Sequence, residues 1–340
     1  MKNRRNVALL YGGRGAEHDV SVSGAKFVYP LIDGEHFDTL PIYIKRDGEM
    51  LLLRPGDDPT SGIPTELCRG GIRLGGERIA VHAALPLLHG EHGEDGSLQG
   101  ALLHSDIPFV GCGVQAGALT FDKAFTKLIA ESLGIPTAEW ILSVDGGDAT
   151  GREVSRRRAE LAFGYPMFIK PARQGSSIGA HSVSTPSELD EAYTDAARCG
   201  DGRVIIERRA DVKSEIECAY FGTKSKVLFT KVGEIPSNGR FYDYSGKYTT
   251  GDFSPRAGSP LDTVIGDAVR AYSRTLCEYI GIRHLARFDF FLTEDGRLLF
   301  NEINTRPGFT SSSLYPAMLE CEGISAASAI DLLIRDVIGE

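Results

Sequence analysis

Leu285-Ala-Arg-Phe-Asp-Phe-Phe-Leu292 and Arg297-Leu-Leu-Phe-Asn-Glu-Ile-Asn304 flank Thr293-Glu-Asp-Gly296. Asp-Gly between two such apolar runs is the strongest short hairpin signal. Taking Asp295 and Gly296 as a two-residue turn sets the register, with Asp289 facing Glu302 and Arg287 facing Asn304. Strand alternation then brings Arg287 with Asp289, and Glu302 with Asn304, to one face. Two carboxylates directly opposite each other repel unless a cation lies between them. Asp, Glu and Asn supply the hard oxygens that magnesium takes, water and substrate phosphate completing its shell. The hairpin therefore predicts a nucleotide site. The competing arrangement is a solvated face on which the arginine neutralises the acids.

Working outward, Asn304-Thr-Arg-Pro-Gly308-Phe-Thr-Ser-Ser-Ser313 follows the second strand without a break. Its glycine, hydroxyls and amides can line an anion or a developing oxyanion beside Arg287, an ordinary turn being the alternative. Upstream, Lys170-Pro-Ala-Arg-Gln-Gly-Ser-Ser-Ile-Gly179 lies between strand-like runs at Met167–Lys170 and Ala180–Val183. Small residues there can fold over polyphosphate while Lys170 supplies charge, although a plain Gly/Ser turn is equally open. The loop does not match the Walker A spacing. Glu207, ending an apolar strand, and Glu215, after a short loop, have acceptor-only side chains able to read an adenine amino group and ribose hydroxyls. Locally, two surface acids are the plainer reading.

At the other end of the chain, Val7-Ala-Leu-Leu-Tyr11 runs into Gly12-Gly13-Arg14-Gly15 and a helical stretch from Val20 to Leu31, an α/β opening. The glycines do not form G-x-G-x-x-G, so a dinucleotide site is poorly supported. Glu17 stands at the helix start, where an acid caps the helix or grips an ammonium group. His89-Gly-Glu-His-Gly-Glu-Asp-Gly96 contains H-x-x-H, but with glycines and acids around it and no third soft ligand, a substrate loop is the better reading than zinc.

With 340 residues the chain exceeds what one core usually supports, and the punctuation divides it into 1–121, 122–215 and 216–340. The first unit is a parallel-sheet α/β domain, and the second, with strands joined by helices, is α+β or α/β. The third is β-rich with helices at Leu261–Ile280 and Ala326–Ile338. A net charge of -9 argues against general nucleic-acid binding while leaving room for a local basic phosphate site. Six cysteines without C-x-x-C spacing read as reduced thiols. The basic start precedes an apolar run too short for a signal, and no stretch is long enough to span a membrane, so the cytoplasm is expected.

Taken in order, these segments resemble the D-alanine:D-alanine ligases of the ATP-grasp superfamily over nearly the whole chain. The resemblance rests on Gly12-Gly13 with Glu17-x-x-Val20-Ser21, His89-Gly90-x-x-Gly93-Glu94-Asp95-Gly96-x-x-Gln99-Gly100, Asp122-Lys123 and Lys170-Pro171-x-Arg173-x-Gly175-Ser176-Ser177. It continues through Tyr242-Asp243-Tyr244-x-x-Lys247-Tyr248, Arg287-x-Asp289 and Asn301-Glu302-x-Asn304-Thr305-x-Pro307-Gly308-x-Thr310.

The resemblance implies a three-domain ATP-grasp fold, ATP between the central and C-terminal domains, two magnesium ions (manganese as a substitute), and a homodimer. By it, Lys123, Lys170 and Lys247 contact phosphates, Glu207 and Glu215 hold adenosine, and Asp289, Glu302 and Asn304 hold the metals. Glu17 binds the first D-alanine's ammonium and closes the site with Ser176 and Tyr248. His89 lies near that substrate, Arg287 and the Gly308 amide stabilise the oxyanion, and Ser313 with Leu314 meets the second amino acid. The chain departs from the family in carrying Arg208 where lysine is common, and Asp211-Val-Lys-Ser214 is one residue longer than usual. The family's D-lactate enzymes lack the Tyr-x-x-x-Lys-Tyr loop. Its D-serine enzymes carry arginine where Leu314 stands, and an apolar residue there offers a serine hydroxyl no partner. D-alanine is therefore the expected second substrate, D-serine the alternative.

Overall fold

A computed structural model describes residues 4–144, 149–237, 255–259, 261 and 263–340. Tyr242, Asp243, Tyr244, Lys247 and Tyr248 lie outside the described residues. Strand β1 (Arg5–Gly12) is buried from Val7 onward, as expected of an apolar run covered on both faces. It pairs in parallel with β2 (Phe37–Ile44) and β7 (Ala83–Pro86). Helix α1 (His18–Val28) makes the crossover and tightens into a 3-10 turn at Tyr29–Leu31, where Pro30 enters. Beyond β2 an antiparallel meander of β3 (Met50–Leu52), β4 (Ile63–Cys68), β5 (Gly71–Leu74) and β6 (Glu77–Ala80) extends the sheet to the order β6-β5-β4-β3-β2-β1-β7. The expected parallel sheet is thus one end of it, and the meander is an addition. Its strands are short and half-exposed, and β4 contains Pro64, so they carry little periodic signal.

Helices α2 (Ser97–His104) and α3 (Val114–Phe121) lead to α4 (Lys123–Ser132), which Asp122 caps by accepting from the amides of Ala124 and Phe125. The central sheet comprises β8 (Trp140–Ser143), β9 (Met167–Pro171), β10 (His181–Val183) and β11 (Val204–Arg208), in the order β10-β9-β11-β8. Helices α5 (Ala149–Ala162) and α6 (Pro186–Cys199) connect them. Every pairing is antiparallel, which decides for α+β over α/β here. Met167, Ile169, Leu189, Tyr193 and Ile206 give this unit its own core.

The third sheet contains β12 (Val212–Gly222), β13 (Val227–Phe229), β14 (Gly233–Pro236), β15 (Leu285–Thr293) and β16 (Leu298–Asn304). Helices α7 (Thr263–Ile280), α8 (Leu314–Cys321) and α9 (Ala326–Ile338) complete it. Strand β12 starts ahead of residue 216 and is irregular within the 211–214 stretch noted above. Val212 pairs with Thr293 and Ser214 with Leu292, so Lys213 bulges out of the ladder. The boundary expected at 121/122 falls between two helices that both pack on this sheet, Ala116 of α3 and Ala130 of α4 sharing a core with Ile216, Phe288 and Leu276. Residues of β1 and α1 share another core with Phe221, Tyr315 and Ile330. The third sheet is therefore the hub of the molecule.

Arg287 pairs with Asn304 and Asp289 with Glu302, the register expected. The turn differs. The Thr293 amide donates to the Arg297 carbonyl and the Gly296 amide to the Thr293 carbonyl, so the loop has three residues, with Gly296 at φ +83°. Farther in, Phe290 pairs with Phe300, and the one-residue register shift leaves Asn301 as an extra residue. A longer turn and a compensating bulge cancel, and the carboxylates face each other all the same.

Candidate active site

A cleft of about 690 Å³ lies between the central and third sheets, within the range of a cofactor pocket. Lys123, Lys170 and Glu207 line it from one side, Glu215, Asp289 and Glu302 from the other. Lys170, on β9, is buried, 3.1 Å from a Glu207 oxygen and donating to the Asn301 side-chain oxygen at 3.1 Å. Burial holds its pKa below the ordinary lysine value against the attraction of Glu207, and the nearby Lys127 and Lys123 add to that lowering. Lys123, first residue of α4, donates to the Gln174 carbonyl of the glycine-rich loop and pairs with Glu302 at 3.2 Å. One turn on, Lys127 is completely buried and pairs with Glu207 at 2.8 Å. Sequence reasoning missed Lys127, although a lysine four residues after Lys123 shares its helix face. Glu207 is thus held by two lysines, which outweigh the effect of burial and keep its pKa below the usual range.

On the hairpin, Arg287 grips Asp289 through two hydrogen bonds of 2.7 Å and lies 3.2 Å from Glu217, while the Asn304 amide donates to Asp289 at 2.8 Å. Burial opposes the charge on Arg287, but Asp289 and Glu217 hold it firmly protonated. Arginine does neutralise one acid, as the competing reading had it; Glu302 instead turns to Lys123. Among the described residues no group of three His, Cys, Asp or Glu side chains is arranged to hold a metal ion, so the hairpin offers two carboxylates and an amide. That all-oxygen set beside lysines at the cleft fits a magnesium-type ion completed by phosphate oxygens.

The glycine-rich loop turns through two successive left-handed residues, Ser176 at φ +50° and Ser177 at φ +58°, a costly backbone typical of ligand-binding loops. That twist delivers the Ser176 hydroxyl to Glu17, 159 residues away in sequence. Glu17 occupies the N-cap position of α1 but makes no capping bond, which removes the helix-cap alternative. Its second oxygen is buried and lacks a hydrogen-bond partner among the described residues. A Cβ on Gly90 would reach that oxygen at 2.4 Å and one on Gly175 at 2.6 Å, so both glycines are needed for the approach. A buried acceptor of this kind fits a ligand ammonium.

Around it, His89 donates from Nδ1 to the Arg306 carbonyl at 2.9 Å, which leaves Nε2 without a proton when the ring is neutral. Burial lowers the His89 pKa while Glu17 opposes the shift. Glu94, quoted in the motif but given no role in the sequence reading, accepts from the Gly90 and Arg306 amides at 3.1 Å each and is pushed up to about 7 by burial and by Glu17. Ser313 binds Thr310 through its hydroxyl, and a Cβ on Gly308 would meet that hydroxyl at 3.0 Å. Leu314 opens α8 packed against Gly233. Glu215 lies on β12, in the wall of the cleft.

The family model described as D-ala D-ala ligase N-terminus matches residues 6–112, and that described as D-ala D-ala ligase C-terminus matches residues 129–335. The chain belongs to the D-alanine–D-alanine ligase family. A D-alanine–D-alanine ligase of Deinococcus radiodurans is 37% identical over 99% of both chains, and one of Kocuria rhizophila 37% identical over 96% of this chain and 92% of that one. Among solved structures, the VanG D-Ala:D-Ser ligase of Enterococcus faecalis aligns with a TM-score of 0.85 at 31% identity, covering 98% of this chain and 99% of that one. The D-alanyl-alanine synthetase A of Vibrio cholerae aligns over the whole of both chains with a TM-score of 0.89 at 26% identity. Membership makes this chain an ATP-using ligase of ATP-grasp fold, acting on small molecules. No helix among the described residues is long and apolar enough to cross a membrane.

Proposed function

We propose that this ligase joins two D-alanines to D-alanyl-D-alanine through a D-alanyl phosphate, supplying a peptidoglycan precursor in the cytoplasm, and that it works as a homodimer. The observation that carries the reading is Glu17, bound by Ser176 through one oxygen and buried without a hydrogen-bond partner among the described residues on the other, against the glycine-rich loop whose Gln174 and Ser177 line the cleft. The three units fall near 1–121, 122–215 and 216–340, with ATP between the last two.

Glu17 holds the first ammonium, beside His89, and so aims the carboxylate at the γ-phosphate. That carboxylate attacks phosphorus, ADP leaves, and Lys123, Lys170 and Lys247 meet the negative charge that builds up. The second substrate's amine, after losing a proton, attacks the acyl carbon. Arg287 and the Gly308 amide hold the tetrahedral oxyanion until phosphate departs. Ser176, Glu17 and Tyr248 close the site against water, while Ser313 and Leu314 border the second amino acid. Glu207 and Glu215 sit at the adenosine end. Asp289, Glu302 and Asn304 would hold two magnesium ions, which when bound neutralise phosphate charge.

D-serine as second substrate remains the other reading, favoured by the likeness to the VanG enzyme and opposed by the apolar Leu314. Phosphate release is measured with ATP, magnesium and D-alanine, then with D-alanine plus D-serine or D-lactate, the dipeptides identified by mass. Turnover with D-alanine alone is expected. Turnover only with the mixed pair overturns the second-substrate assignment, and absence of any D-amino-acid-dependent phosphate release overturns the ligation. Glu302→Ala is expected to abolish magnesium-dependent turnover with the circular dichroism spectrum unchanged; retained activity would put the metal elsewhere.

A further inference from the structure

Lys127 has no place in the ligation as described: it lies behind Glu207, completely buried, and does not line the cleft. We propose that Lys127 is a positioning residue, which binds the Glu207 carboxylate so that the ammonium of Lys170 is presented to the nucleotide phosphates rather than consumed by Glu207. The inference rests on the ATP reading of this cleft.

The geometry is a buried triad. One Glu207 oxygen lies 2.8 Å from Lys127, the other 3.1 Å from Lys170, and all three side chains are at most 8% exposed. Two ammonium groups against one carboxylate leave a single net positive charge, and of the two lysines only Lys170 reaches the cleft. Asn301, the bulged residue of β16, accepts a hydrogen bond from Lys170 at 3.1 Å without adding charge. Without Lys127, Glu207 would face Lys170 alone in a low-dielectric setting, and their attraction would compete directly with phosphate. Lys127 also sits on the same helix as Lys123, whose ammonium binds the glycine-rich loop and Glu302. One helix therefore sets two of the cleft's cationic groups, one directly and one through Glu207.

The test is a charge-balanced pair of variants, with nucleotide binding measured by calorimetry on the full chain as well as turnover. Lys127→Met leaves the triad neutral. It is expected to weaken binding of a non-hydrolysable ATP analogue, and to raise the KM for ATP, on the order of tenfold, with a clearly smaller loss for adenosine, which Glu207 also borders, and the KM for D-alanine unchanged. Lys127→Met with Glu207→Gln restores one net positive charge at Lys170 and, because Glu207 also borders adenosine, is expected to recover most of the ratio of triphosphate to adenosine affinity rather than the absolute affinity. Equal losses for adenosine and the triphosphate overturn the proposal, as does a double variant whose ratio of triphosphate to adenosine affinity is no better than that of the single one. Thermal unfolding of each variant identifies any that fails to fold, in which case Lys127→Gln replaces Lys127→Met. A wild-type chain that binds no ATP analogue would strike the nucleotide reading itself, a result distinct from unaltered binding by the variant.

Discussion

Two glutamates, each more than nine-tenths buried, are treated in opposite ways. Glu207 has a lysine against each oxygen, and those two charges hold its pKa down despite burial. Glu17 has a serine on one oxygen and no hydrogen-bond partner among the described residues on the other, with glycines where side chains would block the approach. A carboxylate whose charge the protein itself pairs is a structural part, which orients its partners. A buried carboxylate left half-satisfied is costly in the free protein, and that cost is relieved when a cation arrives. The difference separates a corner of the site that is preassembled from one that waits for its ligand.

The comparison breaks most readily at Glu17. Glu17→Gln keeps the shape and the serine contact but removes the charge. Losing one partner of a buried charge pair costs about 3 kcal/mol, so kcat/KM for D-alanine is expected to fall on the order of a hundredfold. Affinity for an ATP analogue, measured by calorimetry, should stay within about twofold. An equal loss of nucleotide affinity would mean that both glutamates belong to one electrostatic unit, and the contrast would disappear.

A smaller effect, on stability, sharpens it. Glu94 lies against the Glu17 corner with its pKa raised from 4.5 to about 7, chiefly by burial and then by Glu17. A carboxyl raised in the folded state is more protonated there than in the unfolded chain. Its contribution is therefore fully present below about pH 4.5 and is lost as pH rises through about 7. The loss is on the order of 3 kcal/mol. Glu94→Gln is expected to flatten the decline of stability over that window, read from urea midpoints at successive pH values. An unchanged slope would show that Glu94 is ionised throughout.

How much of this was legible in the sequence depends on whether a residue's role is local. The facing of Asp289 and Glu302 follows from strand alternation and a turn signal, and it survived an error about the turn because the bulge at Asn301 offset it. Helix α9 is similarly local. The meander from β3 to β6 was not legible, because short half-exposed strands have no consistent period. Nor was the role of Lys127, which is created by Glu207 of another element; a lysine in a helix otherwise reads as solvated. The bond between Ser176 and Glu17 has no signal at all in spacing and was expected only through family resemblance.

The smallest effect concerns the ion-paired side. Arg208 replaces the lysine common in the family directly after Glu207, which raised the question of whether the adenosine end is altered. Its side chain pairs with Glu139 and rests near the Phe163 ring at 6.0 Å, and its amide donates to the Glu139 carbonyl at 2.8 Å. Both partners of that ion pair are about half exposed, where such contacts contribute roughly 0–1 kcal/mol. The guanidinium thus braces the end of β11, while Glu207 on the same strand is fixed from behind by Lys127. Arg208→Lys is accordingly expected to change the KM for ATP by less than about twofold and the unfolding midpoint only marginally. A larger shift in KM would mean that Arg208 touches the nucleotide, and that this end of the cleft is less completely preassembled than the pairing of Glu207 implies.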